Sequence, residues 1–179
     1  MHTLRACLAA GHYLPLRAAA YTAAAVSKGK REAISDWLMV LAGPILLGSL
    51  FLTWSHQFSR SFLAQYGSST ALAGIPHDPT AWQLYSVVDV LLALVAAALV
   101  GVSLRGARSA RVALLPALAV ALAFTIHAQS VPATNGADVF NAGLGRYAAN
   151  SPAAGPGVTV ALVALVLGSV GVLLSFTAD

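Results

Sequence analysis

The sequence predicts an all-α fold, a four-helix transmembrane bundle made of two hairpins with both termini in the cytoplasm. Three observations lead to this prediction. The 179 residues are 58% hydrophobic and only 9% charged, with a mean hydropathy of +0.77, whereas a soluble domain is about 25% charged. Four apolar runs each approach the roughly 20 residues that a helix needs to cross a bilayer core. Lysine and arginine are concentrated on one side of those runs.

The distribution of charge excludes a nucleic-acid-binding domain. The net charge is +4 and the isoelectric point is near 9.6, but the basic residues flank the apolar runs and form no stripe with interleaved aromatic side chains. The expected partners are therefore the lipid bilayer and either another membrane protein or a second copy of the chain. The single cysteine, Cys7, excludes an internal disulfide and a cysteine-based metal site.

The predicted helices cover residues 37–54, 84–104, 112–129 and 157–176. In lipid each run has to satisfy its own backbone hydrogen bonds, and a helix does so within one segment. Strands of a membrane barrel would alternate apolar and polar positions, and Val90–Val100 shows no such alternation. The runs are therefore interpreted as helices.

The basic residues predict the orientation of the helices. Two of them, Arg60 and Arg146, fall in the long loops 55–83 and 130–156. The other eight precede the first helix or lie in the short turn between the second and third: Arg5, Arg17, Lys28, Lys30, Arg31, Arg105, Arg108 and Arg111. The positive-inside rule places this second group in the cytoplasm. Aromatic residues are then expected near the outer interface (Trp54, Trp82, Tyr85) and near the inner one (Trp37).

The chain divides into a cytoplasmic N-terminal segment, residues 1–33, and a four-helix membrane domain, residues 34–179. A signal peptide needs a clean apolar region, which His12, Tyr13 and Pro15 interrupt. An amphipathic helix and a true translation start near Val26 are the remaining alternatives. We expect residues 1–25 to be poorly ordered.

Each long loop contains apolar residues at helical spacing. The residues concerned are Phe58, Phe62, Leu63 and Tyr66 in the first loop and Phe140, Leu144 and Tyr147 in the second. This spacing predicts a short helix in each loop, lying flat at the membrane surface.

Small residues spaced four apart predict the faces on which the helices pack, because small side chains let helix backbones approach in lipid. The stripes are Ala93, Ala97 and Gly101; Ala113, Ala117 and Ala121; and Ala164 and Gly168, with Gly171 nearby. An alanine-rich chain also produces such spacings without any packing role. Pro44 follows Gly43 and is expected to kink the first helix.

Asp89 is the most informative polar residue, because an ionisable group inside a membrane span indicates a functional site. It lies about one turn inside the second predicted helix, beyond Tyr85. His127 has a comparable depth in the third helix, and His56 and Arg60 follow the first. These residues form a candidate intramembrane polar cluster.

Three interpretations of the cluster remain open. In the first, Asp89 pairs with His127 or Arg60 and only fixes helix packing. In the second, Asp89 and His127 form a proton relay or an ion site. In the third, His56, Asp89 and His127 bind a divalent metal, although their spacing matches no established ligand pattern.

No sequence motif predicts an enzyme. The chain contains no Gly-x-Ser-x-Gly elbow, no P-loop and no dinucleotide-binding glycine pattern after a strand. Only one aspartate lies within the predicted spans, so the paired aspartates of an intramembrane protease are missing. We expect no catalytic residue, no cofactor and no resident metal.

Two stretches carry a resemblance to a known family, Phe51–Trp54 and Ala81–Ala93. The first is rich in aromatic residues at the end of a span, and in the second a Trp-Gln-Leu-Tyr run leads into Asp89. This pattern resembles uncharacterised small four-helix integral membrane proteins of high-GC actinobacteria. The resemblance covers roughly residues 37–104 and, by general layout, the rest of the membrane domain. It implies the four-helix architecture and points to Asp89, and it implies no reaction.

The sequence therefore predicts a multi-pass protein of the bacterial plasma membrane that serves as a structural or partner-binding component. The alternative is a small transporter or channel subunit with a proton or ion site at Asp89 and His127.

Overall fold

The four long apolar helices predicted from the sequence are present. A computed structural model describes residues 29–58, 60–66, 77–106, 108–133 and 153–178. Within these ranges, four helices are long and apolar enough to cross a membrane. The elements in chain order are α1 (Gly29–Ser49), β1 (Ser55–His56), α2 (Arg60–Tyr66), α3 (Ala81–Leu84), α4 (Ser86–Arg105), α5 (Arg108–Ser130), β2 (Ala153–Ala154) and α6 (Pro156–Ala178).

The first helix differs most from its predicted bounds. It begins at Gly29, within the segment 1–33, because charged residues ahead of Trp37 can extend a helix beyond its apolar part. It ends at Ser49, after which three successive amide groups donate to carbonyl groups three residues back, as in a 3₁₀ turn. The disorder expected for residues 1–25 concerns a segment outside the described residues.

The short helix predicted in the first long loop is α2. Phe58 and Phe62, whose spacing helped to predict it, stack with their ring centroids 5.3 Å apart. The helix predicted around Phe140, Leu144 and Tyr147 falls outside the described residues.

Helices α4 and α5 are joined by a tight turn. We call the end of the molecule at which this turn lies the turn end. Gly106 follows the last residue of α4 with φ of 64°, a left-handed conformation that glycine adopts without steric cost. Its amide group donates to the Val102 carbonyl over 3.0 Å and closes the helix. The chain therefore reverses direction between Arg105 and Arg108.

The opposite end of the helices is closed by a small hydrogen-bonded structure, which we call the cap. At its centre, β1 pairs with β2 in antiparallel register, with Ser55 opposite Ala154. On the other edge, the Trp54 amide donates to the Pro79 carbonyl over 2.9 Å and the Gln57 amide to the His77 carbonyl over 3.0 Å. The cap thus ties together the segments that enter α4 and α6.

Trp54 is a core residue, and its predicted depth near the outer interface stays a prediction. Its side chain is only 1% exposed, and its indole Nε1 donates to the Ser49 carbonyl over 2.8 Å. A Cβ atom on Gly157 would lie 2.5 Å from the indole Cδ1, so glycine leaves the space that the ring fills. By contrast, Trp37 and Trp82 are exposed, as a belt requires.

Helix α1 packs closely on α4 and α6. A Cβ atom on Gly43 would lie 2.7 Å from the Ala96 carbonyl oxygen, so the backbones of α1 and α4 nearly touch there. Ser35 Oγ of α1 donates to the Gly171 carbonyl of α6 over 2.8 Å. Gly168 would bring a Cβ within 3.0 Å of Leu99. The predicted packing stripe on α6 is therefore confirmed.

The predicted stripes on α4 and α5 are largely wrong. Ala97, Ala113 and Ala117 are exposed, and only Ala121 of the two stripes is fully buried. The buried residues are Asp89, Leu92, Ala96, Leu99 and Ser103 on α4, and Arg111, Leu114, Leu118, Ala121, Thr125 and Ala128 on α5. Helix α5 buries Leu114 and Leu118 and leaves most of its small side chains exposed. On α4, Leu92 and Leu99 are buried and the other three leucines are exposed.

Both prolines within the long helices lie on exposed sides. Helix α1 continues through Pro44 and α5 through Pro116. The kink expected at Pro44 stays a prediction.

Candidate functional site

Asp89 lies inside the packed helices, in the first turn of α4 near the cap. Its side chain is fully buried. Neither carboxylate oxygen has a hydrogen-bond partner among the described residues, although the Asp89 amide group donates to the Tyr85 carbonyl over 3.1 Å. An aspartate in the first helical turn often accepts bonds from free amide groups there, and Asp89 does not. Helix capping therefore does not explain this residue.

Three aromatic rings pack together near the cap end of the helices. The Tyr85 ring lies edge-on to Trp54 at 6.0 Å and to Phe124 at 5.1 Å between centroids. We call these three residues the aromatic row. Burial raises the pKa of the Tyr85 hydroxyl, a hydrogen bond with the Ala133 backbone lowers it, and negative charge on Asp89 raises it. Tyr85 is thus electrically coupled to Asp89.

The structure does not bring the predicted polar cluster together. His56 Nδ1 lies 2.6 Å from Asp78 Oδ1 in an exposed ion pair on the cap. His127 and Arg60 are exposed, whereas Asp89 is buried. The pairing of Asp89 with His127 or Arg60 is therefore wrong for the described residues, because these side chains lie on the surface and Asp89 lies in the core.

The divalent-metal interpretation also lacks the required geometry. Among the residues that the structure describes, no three His, Cys, Asp or Glu side chains are grouped so as to hold a metal ion. His56, one of the three expected ligands, pairs with Asp78 instead.

Sequence reasoning missed an ion pair at the turn end. Arg111 Nη2 of α5 donates to Asp36 Oδ1 of α1 over 3.0 Å, and the arginine side chain is only 8% exposed. Asp36 and Arg111 each directly precede a predicted span, at residues 37 and 112. Their equal depth on the same side of the membrane was a signal for this pairing. The pair links α1 to α5, and removing one partner would leave the other charge partly buried without a counter-charge, which destabilises a protein.

An open groove runs between α4 and α5 on the outer surface of the helices. It encloses about 630 Å³, and every residue that lines it is apolar. The residues are Val88, Leu91, Leu92, Leu94, Val95 and Ala98 on α4, and Leu114, Pro116, Ala117, Val120, Ala121 and Phe124 on α5. Several are strongly exposed, Val120 at 70% and Leu94 at 60%.

Fold and site together define the class: a helical protein of the multi-pass membrane type, with four helices suited to crossing a bilayer and a buried carboxyl group in one of them. No protein-family model, curated protein or solved structure gives a significant match to the chain. The resemblance to small membrane proteins of high-GC actinobacteria stays a prediction.

Proposed function

We propose that this protein is a structural or partner-binding component of a bacterial plasma membrane and not an enzyme. The observation that carries the proposal is the apolar groove between α4 and α5. The partner is a transmembrane helix of another protein or of a second copy of the chain, seated in this groove.

The shape and lining of the groove support a helix as its occupant. From Val88 to Ala98 the groove follows α4 for about 15 Å, which corresponds to roughly three helical turns. Three of the residues that line the groove, Ala98, Ala117 and Ala121, have small side chains. Small residues allow the backbones of two helices to approach closely in lipid. No polar group lines it, so a substrate would find no residue for chemistry there.

Photo-crosslinking from the groove tests this function. A benzophenone amino acid at Val120, in the groove wall, is expected to give a protein adduct in intact membranes. The same probe at Val163, 51% exposed on α6 and outside the groove, is the matched control and is expected to give none. The further change Ala117→Phe fills the groove and is expected to lower the Val120 adduct at least several-fold.

The mass of the crosslinked adduct identifies the partner. An adduct of twice the chain mass indicates a second copy, and a larger or smaller one indicates another protein. If both probes capture only lipid, or if Ala117→Phe leaves the Val120 adduct unchanged, the groove does not bind a partner helix and the proposal fails.

The proposed orientation places both termini and the turn end in the cytoplasm. Eight basic residues lie before the first predicted helix or around the turn between α4 and α5, and two lie in the long loops. This distribution supports the orientation, because Lys and Arg are retained on the cytoplasmic side. At the turn end, Arg105 and Arg108 are exposed, where they can contact anionic lipid headgroups.

Cysteine labelling from outside the cell tests the orientation. In a Cys7→Ser background, Ser109→Cys and Ser130→Cys place thiols at exposed positions at the two ends of the same helix, α5. We expect a membrane-impermeant maleimide to label the Ser130 position in spheroplasts and the Ser109 position only after permeabilisation. The reverse pattern would invert the proposed topology.

A further inference from the structure

Among the residues that the structure describes, no side chain supplies a counter-charge to the buried carboxyl group of Asp89. Helix α6 carries no ionisable side chain, and neither does α1 between Trp37 and Ser49. The pair Asp36–Arg111 belongs to the turn end, whereas Asp89 lies at the cap end of antiparallel α4. His127 is exposed on α5, and the hydroxyl of Tyr85, whose pKa the negative charge on Asp89 raises, cannot supply a positive charge.

An isolated carboxylate in such surroundings is strongly unfavourable. Removing an ionised group from water costs several kcal/mol even after relaxation, as an order of magnitude, unless a counter-charge accompanies it. Ionisable residues retained inside a membrane protein therefore mark paths for protons or ions. Because the described residues offer Asp89 no counter-charge, a positive charge from the surrounding medium can neutralise it.

We propose that the Asp89 carboxyl group is an intramembrane binding site for one monovalent cation, a proton or an alkali metal ion, that reaches it from the cap end. The residue lies in the first turn of α4, one turn from Tyr85 and the aromatic row. The path from the cap end is therefore short, whereas Arg105 at the turn end lies about 24 Å away along the helix.

A single carboxyl group favours a monovalent occupant. Calcium takes six to eight oxygen ligands, usually including several carboxylates, and the acidic residues of α1, Glu32 and Asp36, are at the opposite end of the helices. One negative charge is balanced by one positive charge.

The inference goes beyond partner binding and assigns the chain a role in ion or proton movement, as in a small transporter or channel subunit. It differs from the sequence-based expectation because His127 takes no part. It is also independent of the groove, since Asp89 does not line it.

Infrared spectroscopy of the protein in liposomes tests the site directly. A protonated carboxyl group gives a C=O stretching band that a carboxylate lacks. We expect this band in the wild type, its loss in Asp89→Asn, and its retention in Asp78→Asn, a matched change at an exposed carboxylate on the cap. Isotope labelling of aspartate shows that the band comes from an aspartate and not from a lipid ester or a glutamate. If Asp89→Asn does not fold, Asp89→Glu keeps the carboxyl group but escapes the label, so its band should not shift if it belongs to this position.

The conditions of the measurement distinguish the two cations. Loss of the band on raising the pH identifies the proton as the occupant. Loss of the band on adding sodium or potassium at constant pH identifies an alkali ion that competes with the proton. A spectrum of Asp89 that changes under neither condition overturns the proposal, because the carboxyl group would then be a fixed part of the core. The crosslinking result at Val120 does not bear on this outcome.

Discussion

Replacing Gly43 with alanine is expected to lower the free energy of unfolding by about 1–3 kcal/mol, the usual cost of overpacking a tight interface. The new Cβ would lie 2.6 Å from Val100 Cγ2 and 2.7 Å from the Ala96 carbonyl oxygen. A valine side chain can rotate away, but the carbonyl belongs to the backbone of α4. Helices α1 and α4 therefore have to separate. Thermal denaturation in a mild detergent, followed by circular dichroism, measures the effect.

Gly48→Ala in the same helix is the matched control. A Cβ at Gly48 would meet no atom within 4 Å, so the change adds a methyl group to an open surface. We expect unchanged stability or a gain of up to about 1 kcal/mol, because alanine favours a helix more than glycine does. Equal losses for Gly43→Ala and Gly48→Ala would show that α1 and α4 do not approach closely at Gly43.

The second large effect is expected for Trp54→Ala, which should cost about 3–5 kcal/mol of unfolding free energy. The indole is 1% exposed, and its removal leaves a cavity between the cap and the helices. It also removes the donor to the Ser49 carbonyl and the edge contact with Tyr85 at 6.0 Å. Chemical denaturation in detergent micelles, monitored by far-ultraviolet circular dichroism, measures the loss.

Trp37→Ala separates this effect from the general loss of a tryptophan. The Trp37 side chain is 66% exposed, so its removal creates no cavity and we expect a change below about 1 kcal/mol. Trp54→Phe should fall between the two, since it keeps an aromatic ring but loses the indole N–H. A Trp37→Ala variant as unstable as Trp54→Ala would mean that Trp54 is not the anchor of the cap.

The functional site was only partly predictable from the sequence. The depth of Asp89 follows from its position four residues after Tyr85 at the start of an apolar run, and the structure places it in the first turn of α4. The partners of Asp89 could not be predicted, because the sequence shows how deep a residue lies along a helix but not which face of the helix carries it. His127 has a similar depth and yet is exposed on α5, away from any described partner for Asp89.

The sequence by itself determined that there are four long apolar helices and where each lies along the chain, because crossing lipid requires about 20 apolar residues regardless of their neighbours. Only the tertiary structure decided which face of each helix is buried, that Trp54 belongs to the core and that Asp36 meets Arg111. In water, the apolar face of a helix is its buried face, so the pattern identifies the core. In lipid, the exterior of the protein is as apolar as its interior. Leu92 and Leu94 of α4 are therefore alike in the sequence, although Leu92 is buried and Leu94 is exposed.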